Sequence, residues 1–155
     1  MRLNTIAKTF TIAGVTALVL GIAPAAYAAD KGCSSASLQG TFAYTSTGSI
    51  ASPPEIAGPI AEVGTQVFDG KGNTTATATI SSNGSMTQLA ITGTYTMNAD
   101  CTGTMALQVS PFNITVHVLF VMDSSLNGFQ AMETDDGLII TRVARSQFGI
   151  GDWRR

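Results

Sequence analysis

From about Leu38 to Gln147 the chain alternates threonine with apolar residues and breaks at short intervals into glycine turns. Phe68-Asp69-Gly70-Lys71-Gly72-Asn73 runs into Thr74–Ile80, and Ser82-Asn83-Gly84-Ser85 follows. Short strands joined by tight turns at regular spacing dictate an antiparallel sandwich or barrel. Threonine suits the outer face, because its branched side chain fits a pleated surface and its hydroxyl stays wet.

Period two marks out nine segments, read as about eight strands. The segments are Gln39–Gly48, Pro59–Phe68, Asn73–Ser81, Met86–Thr92, Gly93–Asn98, Thr104–Ser110, Asn113–Met122, Phe129–Thr134 and Leu138–Gln147. Connections after Phe68 are short, so neighbours in sequence pair antiparallel. Up-and-down pairing of this kind closes into a barrel, which removes exposed edges; an open β-sandwich is the alternative. Ala51-Ser52-Pro53-Pro54 reads as a surface loop between the first two strands.

Residues 1–28 read as a secretory signal peptide. Arg2 and Lys8 precede the uncharged apolar run Thr9–Ile22, and Ala26-Tyr27-Ala28 supplies a small-x-small cleavage pattern. The apolar run is shorter than the ~20 residues of a membrane span. The expected product is a single domain over 29–155, periplasmic or extracellular, with 149–155 as a flexible tail and no membrane span after cleavage. Losing Arg2 and Lys8 leaves six basic residues against ten acidic ones, so the net charge moves from −2 to −4. That balance gives no footprint for nucleic acid. Cys33 and Cys101 are the two cysteines, and in an exported chain they are expected to form one disulfide.

Few motifs carry chemistry. Asp69-Gly70-Lys71-Gly72-Asn73 resembles the start of a calcium loop, but Lys71 is unwelcome there and no acid closes the loop, so a hairpin turn is expected. Asp135-Asp136-Gly137 is likewise read as a turn ahead of a metal site. His117 falls on the face opposite Val116, Val118 and Phe120 and is expected to point outward. No G-x-S-x-G pattern accompanies it. Nothing in the sequence points to a cofactor or a metal.

Phase singles out three charges. Glu62 shares a face with Ile60 and Phe68, Glu133 with Phe129 and Ala131, and Arg142 with Leu138, Ile140 and Ala144. If those faces point inward, two acids and a guanidinium sit among apolar walls and must pair or lose charge. Such groups are candidates for proton transfer or for anchoring a polar head. Tyr44 and Tyr95 also fall on inward faces and are candidate ligand contacts. Ala76 and Ala78 are small for an interior and would leave room for a ligand.

The chain resembles a group of small exported bacterial proteins of unknown role. The likeness rests on Cys33 with Leu38-Gln39-Gly40-Thr41-Phe42, on the Phe68–Asn73 hairpin, and on the run Thr92–Thr104 containing Thr-Gly-Thr-Tyr-Thr. That group is similar to the allene oxide cyclase-like barrel, related in shape to dirigent proteins and lipocalins. The resemblance implies an eight-stranded antiparallel barrel with a central cavity that binds apolar molecules or steers cyclisations. No catalytic residue of the cyclases maps onto this sequence. Three functions follow as expectations: binding of a small, largely apolar molecule, a cyclase or isomerase acting on a polyene-like substrate in the same cavity, or a structural or surface-interaction protein with a filled core.

Overall fold

A computed structural model describes residues 32–147. The segment 1–28 and the tail 149–155 lie outside the described residues. A short 3-10 turn at Ser35–Ser37 leads into β1 (Gln39–Ile50), and a second, Pro54–Ile56, precedes β2 (Gly58–Asp69). The remaining strands are β3 (Asn73–Ser82), β4 (Ser85–Met97), β5 (Thr102–Ser110), β6 (Ile114–Met122), β7 (Gly128–Glu133) and β8 (Leu138–Ser146). Each strand pairs with its neighbours in sequence, and β1 pairs with β8, so the sheet is a closed eight-stranded antiparallel barrel. The expected barrel is observed and the sandwich is not.

The two segments expected on either side of Gly93 are one strand, β4. Gly93 does not turn the chain. A Cβ built there would lie 2.2 Å from the Ala106 carbonyl oxygen, so the glycine serves a close approach of β5. In the hairpin after β2, by contrast, Gly70 (φ 71°) and Gly72 (φ 99°) occupy the left-handed region, as the turn requires. The Asp69 carboxylate accepts from the backbone N–H groups of Lys71 and Asn73 and from the Asn73 amide. These bonds hold its carboxyl below the usual carboxylate range and fix the turn.

The two ends of the barrel differ. At one end Phe42, Phe68, Phe120 and Phe129 pack edge-on or tilted, with ring centroids 5.6–5.8 Å apart, and Tyr95 stacks edge-on against Phe68. Leu38 caps this end and is fully buried. The Cys33–Cys101 disulfide, with Cα atoms 4.9 Å apart, ties the lead-in segment to the β4–β5 turn there. The other end carries the β1–β2, β3–β4, β5–β6 and β7–β8 connections and is open. The outer wall is less uniformly polar than the threonine pattern suggests: Val63, Leu119, Val121, Met132, Ile139 and Val143 are each at least 44 % exposed.

Candidate functional site

Register builds the polar floor. In the row where β1 meets both neighbours, Ser46 stands opposite Glu62 of β2 and opposite Arg142 of β8. A serine between the two long side chains lets them meet above it. One residue pair deeper, Tyr44 is flanked by Gly64 and Ala144, which leave space for its ring. Gln66 is paired with Ala76, and Gly64 with Ala78. The two alanines thus sit beside Gln66 and Gly64 in the packed part of the barrel, rather than opening room for a ligand.

The buried groups form a connected network. Arg142 donates from Nε to Ser46 Oγ (3.1 Å) and from Nη1 to Gln66 Oε1 (3.2 Å), and its Nη2 lies 3.9 Å from Glu62 Oε1. Its guanidinium stacks 4.2 Å above the Tyr44 ring, a cation–π contact. The Tyr44 hydroxyl donates to Glu62 Oε1. Burial pushes the Tyr44 phenol pKa up, opposed by Arg142 and reinforced by Glu62, so it stays a neutral donor. Gln66 Nε2 donates to Thr74 Oγ1 (3.1 Å), and that hydroxyl donates to the Val67 carbonyl (2.9 Å). Among the described residues no side-chain nitrogen or oxygen that is fully sealed from solvent lacks a partner. A buried ion pair is tolerable under that condition.

Above this floor the barrel is hollow. The open end holds a cavity of about 470 Å³ whose walls include Ile80, Leu89, Ile91, Leu107, Val109, Val116 and Ile140. Glu62, Arg142 and Glu133 line it, and Glu55, Ile56 and Phe112 stand at its rim. The three phased charges therefore meet in one place, from β2, β7 and β8. Glu133 differs from the other two. Among the described residues its side chain makes no hydrogen bond and no ion pair within 4.0 Å. Burial raises its carboxyl to about 7, and Glu62 and Asp135 add to the rise, against the lowering pull of Arg142.

Of the two candidate tyrosines, neither contacts the cavity directly. Tyr44 supports its floor from below. Tyr95 stands in the aromatic end, where its hydroxyl donates to the carbonyls of Leu38 (2.7 Å) and Ser35 (3.0 Å). His117 points outward as expected, with Nδ1 2.8 Å from Asp135 Oδ1 on the surface. Its partner Asp135 also accepts the His117 backbone N–H, and these bonds hold its carboxyl low. The Asp135-Asp136-Gly137 turn thus engages its first acid in pinning β6. Ser46, Gln66 and Thr74 were not singled out from the sequence. Ser46 and Gln66 share inward phase with Tyr44 and Glu62, which is the signal that finds them. No group of three or more metal-ligating side chains occurs among the described residues.

Two further hollows lie on the outer wall, one between β4, β5 and β6 near His117 and one across β2, β3 and β4. Both are lined by outward residues such as Thr96, Thr104, Thr77 and Gln88 and lack the enclosing walls of the cup. Among the described residues no helix is long and apolar enough to cross a membrane. The chain matches no protein-family model, and neither the curated proteins nor the solved structures contain a significant match to it.

Proposed function

We propose that this is an exported binding protein that holds a small, largely apolar molecule in the open half of its barrel. The cavity of about 470 Å³ carries the reading: aliphatic walls end on a few convergent polar groups. Sites for small molecules are concave, mostly apolar and of order 300–1,000 Å³, with a small number of placed polar side chains. A protein serving only as a structural block would fill that space, as the aromatic end of this barrel does. Export is supported by the segment 1–28 and by the disulfide, which belongs to an oxidising compartment.

A second reading, cyclase or isomerase, draws on Glu133. A carboxyl held near 7 beside an apolar chamber has the proton affinity suited to general acid–base work at neutral pH. The binding reading asks less of the site, since it needs no group aimed at a reacting atom.

Native mass spectrometry of the secreted protein tests the proposal. The expected spectrum shows an adduct of small mass that organic extraction removes, or one-to-one uptake of 1-octanol by the stripped protein. Val109→Trp, which fills the wall, should abolish that uptake. A barrel that carries no adduct and takes up no octanol refutes the binding reading and the enzyme reading together.

A further inference from the structure

The polar groups of the cup are not equivalent, and their difference constrains the ligand. This inference rests on the small-molecule reading above. Arg142 is held on several sides: Nε donates to Ser46, Nη1 donates to Gln66, the guanidinium stacks on Tyr44, and Nη2 lies 3.9 Å from Glu62. It is 5 % exposed, and its charge is offset by the adjacent Glu62. Glu62 is likewise held, by the Tyr44 hydroxyl and the guanidinium. Glu133 lines the same cavity and, among the described residues, its side chain has no hydrogen-bond or ion-pair partner. Of the three charged side chains that meet at the cup floor, the one without a protein partner is therefore a carboxyl.

The surrounding charge has the same sign. Facing or flanking Glu133 are Arg142 from β8, Glu62 from β2 and Tyr44 from β1. Asp135, in the β7–β8 turn, is paired with His117 of β6, and Glu55 stands at the rim. With Arg142 and Glu62 balancing one another, Glu133 and the rim residue Glu55 leave the cup acidic, and Asp135 in the β7–β8 turn adds to the negative potential at Glu133. In a low-dielectric chamber such a field opposes a second carboxylate and favours a donor or a cation. The apolar rim residues Ile56 and Phe112, both about half exposed, continue the aliphatic wall outward, which suits a chain that enters head first.

We propose that the cup selects apolar molecules that end in a hydrogen-bond-donating head, a protonated amine above all, over fatty carboxylates, and that Glu133 is the selecting residue. The ammonium sits against the Glu133 carboxylate, and the alkyl or ring body packs along Leu107, Val109, Val116 and Ile140. Binding an ammonium requires the ionised carboxylate, so affinity for the amine falls as pH drops below about 7, where Glu133 takes up its proton. The Arg142–Glu62 pair acts as the positioning floor and stays closed.

Isothermal titration of the stripped, disulfide-bonded protein with n-octylamine, 1-octanol and octanoate tests this. At about pH 8 the amine is protonated and octanoate ionised. The expected order is octylamine, then octanol, then octanoate, with the amine about tenfold tighter than octanol, a difference of ~1.4 kcal/mol. At about pH 5.5, where octylamine keeps its charge and Glu133 does not, the amine should drop to the level of octanol. Glu133→Gln, which keeps shape and loses charge, should bring octylamine down to the level of octanol in the same variant at pH 8. Octanoate binding as tightly as octylamine at pH 8, or an amine preference that survives Glu133→Gln, overturns the selection rule while the binding proposal stands. If none of the three binds, the cup itself is not a ligand site and both proposals fall.

Discussion

At the scale of single residues, the inward charges behave in two ways. Arg142 and Glu62 offset each other inside a hydrogen-bonded network, and the Glu133 side chain is left to meet solvent or a ligand alone. That isolation has a stability consequence whose sign is fixed. Glu133 holds its proton more tightly folded than unfolded, so its contribution is full below about pH 4.5 and is lost as pH rises through about 7. Glu133→Gln is therefore expected to leave stability unchanged near pH 4.5. At pH 8 it should raise stability by roughly 1–3 kcal/mol, discounted for the partial exposure of the carboxyl. Urea unfolding of both proteins across pH 4.5–8 checks it; equal curves at pH 8 would show that the carboxyl is not desolvated. Much of this residue-scale picture is legible in sequence. Period-two phase alone sends Glu62, Glu133 and Arg142 inward, and it would have sent Ser46 and Gln66 with them. Phase gives the side of a strand and not the height along it. Tyr44 and Tyr95 have the same inward phase, yet one supports the cup floor and the other lies in the aromatic end, held by the Leu38 carbonyl.

At the scale of elements, the turns and strands were readable wherever local chemistry decides them. Asp69-Gly70-Lys71-Gly72-Asn73 is a hairpin because an aspartate caps two backbone N–H groups and two glycines take positive φ. β4 was misread because glycine signals both turns and close packing, and only the position of β5 distinguishes them. Gly93→Ala should therefore be costly although alanine is the smallest side chain. Its Cβ would meet the Ala106 carbonyl oxygen and the Leu107 side chain, with no flexible group on the backbone side to give way. We expect a loss of roughly 1–3 kcal/mol by chemical denaturation, whereas the same change at Gly84, where a Cβ meets nothing within 4 Å, strains only the turn backbone. Equal losses at the two sites would argue against the close-approach account.

At the scale of the whole molecule, the barrel divides into a stapled, aromatic half and an open, aliphatic half. The disulfide lies wholly in the first, across 68 residues of sequence. Removing it with Cys33→Ser and Cys101→Ser together should lower stability by roughly 2–4 kcal/mol, chiefly by freeing the unfolded chain. Octanol uptake by the still-folded fraction should be retained, because no cup residue touches the disulfide. Loss of uptake at full folding would mean that the staple shapes the cup. Closure was expected from the sequence, but the register of β1 against β8 was not legible there. Nothing local specifies that Ser46 will meet Arg142, 96 residues away; closure of a twisted sheet imposes it.

That seam has a consequence for how the molecule comes into being. β1 is among the first strands to leave any exit channel and β8 is the last, yet each is the other's missing neighbour. Until Leu138–Ser146 arrives, a half-formed sheet presents two raw edges, and the ionic floor has no guanidinium to offset Glu62. A chain released before its final strand would thus be both sticky and internally charged. Among the described strands, the one that closes this barrel is thus the last in sequence, Leu138–Ser146.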